Sequence, residues 1–469
     1  MSILTNISTI LPEIKGPLQK RLSFKEKLKW TLIVLVAFFL LGIVPLYGLG
    51  ENALSQFEFL SIILGAKFGS IISLGIGPLV TSSIVLQLLN GSGIINFDLT
   101  SPDGKKSFQA LQKIMALFFI VFEAIIYVVM GGLSPSAALA PSAYYGMEVI
   151  LIVQLIVGGI LIMFMDEIIS KWGFGSGISL FIAAGVSSEV FWKAFSPLSS
   201  AGTWAFSSGQ PPIGKLWVLI QSLAGGNPEG AFLAGAAIVA TIVVFLLAVY
   251  GQAMKVEIPL SFGRVRGHGI RWPLNFIYTS NIPVILIAAL LANVQLWARL
   301  LENWGHPLLG TFSGNVPASG FVLWVTPVNL VEKLFTVGIT NMGIDIAHSA
   351  VYASLMICGA VVFSLFWVQT AGMDARSQAK QMMASGLQIP GFRRDLRVLE
   401  SILNRYIIPL TVMGGGLVGI LAATADLSGA LSYGTGILLA VMIIYKLYEE
   451  IANQHMMDMH PALRKMMEK

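Results

Sequence analysis

Apolar positions along this chain are gathered in long runs separated by short polar stretches, a pattern that fits neither alternating strands nor one-sided surface helices. A helix that crosses a membrane needs about 20 apolar residues at a rise of about 1.5 Å each. That template predicts ten spans, at approximately 30–48, 71–90, 110–131, 147–167, 176–192, 231–250, 281–300, 347–369, 407–424 and 432–450. An even number of spans puts both termini on one side. One stretch is too short to cross: Leu54 to Ser70 (LSQFEFLSIILGAKFGS) has a mostly apolar core between Glu58 and Lys67 about half a span long. It reads either as a half-helix held by protein or a water-filled cavity, or as an ordinary interfacial helix.

Spans one to five (30–192, with the half-helix at 54–70) and six to ten (231–450) are each an odd number. The second half therefore enters the membrane inverted relative to the first, and an inverted repeat is permitted. No convincing internal sequence identity accompanies it. Residues 1–29 are polar and amphipathic with no cleavable signal, and 18–29 is expected on the membrane surface. Residues 193–230 and 302–346 read as external connections and 451–469 as a tail. The fold class is an all-α polytopic membrane protein.

Composition sharpens this. Of 469 residues 55% are hydrophobic and 11% charged, against roughly a quarter charged in a soluble domain, so lipid must cover most of the chain. Basic residues set the orientation, because cytoplasmic segments carry their excess. With the termini inside, only Lys67, Lys193, Lys215, Arg299 and Lys333 of the 29 lysines and arginines fall outside. Two inner loops are strongly basic. The loop between spans six and seven carries Lys255, Arg264, Arg266 and Arg271; the loop between spans eight and nine carries Arg376, Lys380, Arg393, Arg394, Arg397 and Arg405. They serve either topology and anionic lipid or the docking of a large anionic partner.

Candidate chemistry is sparse. The single cysteine, Cys358, permits no intramolecular disulfide, and the five histidines never form HExxH, so neither a metal site nor a cofactor is expected. The glycines of KWGFGSGISL match no nucleotide-binding loop. No nucleophile, base and orienting acid occur in a recognisable spacing, so the chain is not expected to be an enzyme. Polar groups inside spans remain: Thr81, Ser82, Ser83 and Gln87 in the second, Glu123 in the third, Asn293 and Gln295 in the seventh. Such groups are costly and face protein or water.

The segments LGIGPLVTSSIVLQLL (74–89), KWGFGSGISLFIAAGV (171–186), SNIPVILIAALLANVQLW (280–297) and YGTGILLAVMIIYKLYEE (433–450) together resemble the SecY family, the large subunits of Sec protein-conducting channels, and most closely its archaeal and eukaryotic branch. The resemblance covers essentially the whole chain. It implies two inverted five-helix halves closed like a clamshell around an hourglass pore, in the cell membrane, with both termini cytoplasmic. It implies a ring of Ile76, Val80, Ile178, Ile182, Ile285 and Leu439 at mid-depth. The spacing agrees in part, since Ile76 with Val80 and Ile178 with Ile182 are each four apart and share a helix face. A ring of that kind gates by dewetting.

The resemblance further implies a plug formed by the half-helix, with Glu58, Phe59, Leu60, Ile62, Ile63, Leu64 and Lys67, and a lateral gate containing Thr81, Glu123 and Asn293 where signal sequences intercalate and membrane segments leave for lipid. The basic loops, through Arg264, Arg266, Arg271, Arg393 and Arg394, become a docking site for the ribosome or another cytosolic translocation partner. A SecE-like subunit and a small third subunit complete the assembly, and nascent polypeptides are its clients. The competing class is a secondary transporter, which shares the span count, the possible repeats and an interrupted segment. A membrane scaffold without a pore is a third.

Overall fold

The computed structural model describes residues 12–459 apart from 19–21, 53–60, 62–63, 92–93, 96, 98–101, 137, 200–202, 209, 263–268, 280–281, 315, 337, 339–341, 385–386 and 389–394. Ten long helices carry the fold among these residues: α1 (Phe24–Leu41), α2 (Gly77–Gly91), α3 (Pro102–Val129), α4 (Pro141–Trp172), α5 (Gly177–Phe195), α6 (Pro228–Ala253), α7 (Ile282–Asn303), α8 (Gly343–Thr370), α9 (Leu396–Leu427) and α10 (Gly434–Met459). Each contains most of one predicted span. Seven are long and apolar enough on length and composition to cross a membrane. The other three, α1, α2 and α10, are shorter or more charged.

Several boundaries differ from the hydropathy reading, for local reasons. Helix α1 starts at Phe24, where the Ser23 hydroxyl accepts the Glu26 N–H, so residues 24–29 belong to the first helix. Helix α9 starts at Leu396 because Asp395 accepts the Arg397 N–H at 2.9 Å. Helix α2 starts only at Gly77. Residues 71–76 before it are turns that pass through Gly75 at φ 55°, a conformation that favours glycine.

Within the first half α1 and α5 pack on α4, and α3 packs on both α2 and α4; within the second, α7 packs on α8, α8 on α9, and both α6 and α9 on α10. The halves meet along two seams, α2 against α7 and α8, and α5 against α10. Helix α7 is buried along most of its length, whereas α6 exposes Val239, Ile242, Val243, Phe245 and Leu246. Apolar exposure on that scale is a lipid-facing surface.

Strands are few. β1 (Leu49–Asn52) pairs with β2 (Leu133–Pro135). The first basic loop folds into a hairpin of β3 (Lys255–Phe262) and β4 (Gly269–Asn275), in register from Lys255↔Asn275 to Ser261↔Gly269. β5 (Phe312–Ser313) and β6 (Val316–Pro317) form a small ribbon, and β7 (Leu387–Gln388) from the second basic loop joins the far edge of β3 through Ser261↔Gln388 and Phe262↔Leu387. The two basic loops therefore share one three-stranded sheet, where the sequence reading had only loops.

Candidate functional site

All six aliphatics expected at the constriction belong to the main apolar core, which runs through both halves. Ile76, Ile182 and Leu439 are completely buried, Val80 and Ile285 nearly so, and Ile178 is half-buried against the same cluster. Ile76 lies one residue before α2, but its carbonyl accepts the Val80 N–H at 3.0 Å, which keeps the two side chains on one helical face. Ile178 and Ile182 occupy the first turns of α5, Ile285 the first turn of α7, and Leu439 the second turn of α10.

A cavity of about 710 Å³ opens beside this cluster. Val80, Ile178 and Ile285 line it, together with the polar side chains of Ser83, Gln87, Gln112, Asp166 and Ser179 and the charged groups Lys27, Lys446 and Glu450. Lys27 is near the start of α1 and Lys446 and Glu450 are far along α10, so the charges come from the chain's two ends. The cavity is thus a partly polar funnel with aliphatic side chains in its wall.

The polar groups expected between α2, α3 and α7 are brought together. Asn293 on α7 donates its amide to the Thr81 hydroxyl on α2 at 3.3 Å. Glu123 on α3 is buried beside Thr81, and its second oxygen faces Gly77 with no hydrogen-bond partner. Sequence reasoning missed two further links across this region: Gln112 of α3 donates to Ser83 of α2 at 2.7 Å, and the Phe122 and Trp297 rings of α3 and α7 lie 6.0 Å apart. Period alone gives no signal for such partners.

Of the expected plug residues, Leu64 and Lys67 are described; Glu58, Phe59, Leu60, Ile62 and Ile63 lie outside the described residues. Leu64 is fully buried, and its carbonyl accepts the Ile76 N–H at 2.7 Å. Residues 64–65 and 68–69 are turns, and 64–69 contains no helix. Arg264, Arg266, Arg393 and Arg394 also lie outside the described residues, while Arg271 sits on β4 opposite Pro259. The base of the hairpin is anchored by a second apolar cluster joining Leu274 and Tyr278 to Ala379, Met382, Leu399 and Leu403. Tyr278 donates to the Met373 carbonyl at 2.7 Å; burial, reinforced by the charge of Asp374, pushes its phenol up to about 12 and keeps it a donor. Among the described residues no group of His, Cys, Asp and Glu side chains could hold a metal.

Two sets of five helices that meet around a partly polar cavity, with the aliphatics Val80, Ile178 and Ile285 in its wall, define a polytopic membrane channel. The chain belongs to the SecY family, whose model matches residues 70–448. It is 45% identical to the protein translocase subunit SecY of Methanothermobacter thermautotrophicus over 97% of this chain and 96% of that one. A solved structure of a SecY translocation channel, described for a plug domain that stabilises its closed state and maintains a membrane seal, superposes with a TM-score of 0.80 at 40% identity, covering 98% of this chain and 99% of that one. Sec61 in the canine ribosome-channel complex from the endoplasmic reticulum gives 0.77 at 38%, with the same coverage. These relatives do not favour the transporter reading.

Proposed function

We propose that this chain is the central pore of a Sec translocase, conducting unfolded secretory polypeptides across the membrane and releasing apolar segments sideways into lipid. The observation that carries the reading is that Val80, Ile178 and Ile285, from both halves, line one cavity of about 710 Å³, while Ile76, Ile182 and Leu439 are buried in the same apolar core. An aliphatic constriction excludes water and hydrated ions yet yields to an extended chain. Its role is conduction without catalysis, with energy supplied by partners.

Thr81, Glu123 and Asn293 act as the lateral gate, where weak polar bonds hold α2, α3 and α7 together until an apolar signal helix competes for the seam. Residues 54–70 act as the plug. Arg264, Arg266, Arg271, Arg393 and Arg394 dock a ribosome through its RNA phosphates, a reading supported by the ribosome-bound relative and by the sheet that unites both loops. A SecE-like subunit and a small third subunit cover part of the lipid-facing surface, and the complex sits in the cell membrane with both termini cytoplasmic, as the lysine and arginine bias supports.

The test is to stall a secretory chain in membranes carrying single cysteines at Ile76, Ile182 or Ile285, and crosslink. Adducts at all three support the pore. Adducts confined to a cysteine at an external position such as Lys215 overturn it.

A further inference from the structure

Two aspartates occupy matching places in the two halves. Asp166, near the end of α4, accepts the backbone N–H of Ile178 at 3.0 Å in the first turn of α5. Asp426, near the end of α9, accepts the backbone N–H of Thr435 at 2.6 Å and the Thr435 hydroxyl, in the first turn of α10. Its outer oxygen also receives the Tyr352 hydroxyl at 2.6 Å. In each half the carboxylate stands on the fourth helix and holds the start of the fifth.

The local sequences agree with this pairing. Helix α5 opens on Gly177-Ile178 and α10 on Gly434-Thr435: a glycine first, then the residue whose N–H the carboxylate accepts. In both halves this opening glycine touches the preceding helix at the carboxylate. A Cβ on Gly177 would stand 2.5 Å from the Asp166 Cα, and one on Gly434 would collide with the backbone of Ala425, the neighbour of Asp426.

The first N–H groups of a helix have no partner within it, and its N-terminus carries partial positive charge, so a carboxylate there forms strong, directional bonds. Asp426 is buried, where no water replaces them, and Asp166 is half-buried in the wall of the cavity. A helix held at its first turn is fixed in both depth and rotation: a slip by one residue moves it about 1.5 Å and turns it by roughly 100°. Helices α5 and α10 carry Ile178, Ile182 and Leu439 within their first two turns and pack directly on each other across the seam between halves.

We propose that Asp166 and Asp426 are a matched pair of positioning residues that set the depth and rotation of α5 and α10, and thereby the fit of Ile178, Ile182 and Leu439 in the seal. The inference rests on the pore reading above. It assigns each half its own anchor for its share of the constriction.

The test uses the complete complex in vesicles and reads resting ion leak, with Ile182→Gly as the reference for a broken seal. Asp166→Ala raises the leak roughly tenfold, the weight of one charge-assisted hydrogen bond, and Asp426→Ala, which loses three bonds, raises it further. Asp166→Asn and Asp426→Asn, which keep an acceptor oxygen for the N–H, recover most of the seal. Equal leak from the Asn and Ala variants overturns the positioning role. If Ile182→Gly leaks and the aspartate variants do not, this inference fails with the pore reading intact; if Ile182→Gly does not leak, the pore reading itself fails. Should the Ala variants not assemble, Thr435→Val and Thr435→Ser decide: more leak from Val supports the anchor, equal leak overturns it.

Discussion

The backbone N–H of Ile76 donates to the carbonyl of Leu64 at 2.7 Å, tying the segment assigned as the plug to the first of the six aliphatics proposed to line the pore. Leu64 itself is fully buried. Deleting residues 58–67 removes this bond together with most of the proposed plug, and resting vesicles carrying the variant complex are expected to leak ions. Leu64→Ala leaves the bond but empties the site, at a cost of about 2 to 5 kcal/mol, and should give a smaller leak. Unchanged conductance in both would separate this segment from the seal.

The Asn293–Thr81 hydrogen bond joins the halves where α7 meets α2. Polar bonds of this kind between membrane helices are worth roughly 0.6 to 2 kcal/mol, enough to bias a seam closed and little enough for an entering apolar helix to displace. Asn293→Ala is expected to let secretory proteins with weakened signal sequences through, and Thr81→Ala to do the same. Because both remove this bond, and Thr81→Ala also removes the partner of Glu123, the double variant should add little beyond Thr81→Ala. Export of a signal-defective reporter measures it, and full additivity would mean that the two side chains act separately.

Pairing of Ser261 with Gln388 and Phe262 with Leu387 makes the two basic loops one body. Facing residues of an antiparallel pair lie within disulfide range, so cysteines at Ser261 and Gln388 should crosslink on oxidation, while cysteines at Lys255 and Gln388 should not. Reversing Arg393 and Arg394 to Glu should weaken ribosome binding and flatten its salt dependence by about one unit of slope for each phosphate no longer neutralised. The weakening should be largest at low ionic strength, where attraction is least screened. Binding equal to the parent at every salt concentration would move the docking surface elsewhere.

Most of the membrane architecture was legible, because lipid imposes its length and polarity on every crossing helix. The expected run at 71–90 failed at its start: hydropathy cannot distinguish the turns at 71–76 from helix, and only Gly75 hinted at the break. The hairpin of β3 and β4 was readable in part from the alternation of Val256, Ile258, Leu260 and Phe262, but Pro259 and Pro273 argued against strands. Pro259 is tolerated because β3 is paired on its second side only at Ser261 and Phe262, and Pro273 because β4 is an edge. The roles of Asp166 and Asp426 were invisible, since a lone carboxylate near a helix end looks the same whether it faces water or the next helix.

An ion cluster ties the N-terminal segment to α4. Lys171 on α4 reaches the Glu13 carboxylate at 2.6 Å, the Ile14 carbonyl at 2.5 Å and Glu167 at 2.9 Å, while Glu167 also accepts the Ile14 N–H at 3.2 Å and pairs with Lys113 of α3 at 3.0 Å. The indole of Trp172 donates to the Lys15 carbonyl at 3.0 Å. Glu13 is largely exposed, so its own pair contributes no more than about 1 kcal/mol. Glu167 is the shared centre, and removing it frees Lys113 and the Ile14 N–H and leaves Lys171 with Glu13 and the Ile14 carbonyl alone. Glu167→Ala is expected to release residues 12–17 from α4, seen as faster cleavage there in limited proteolysis, whereas Glu13→Ala should change the rate little. Equal protection of both variants would show that Trp172, not the ion cluster, holds the segment.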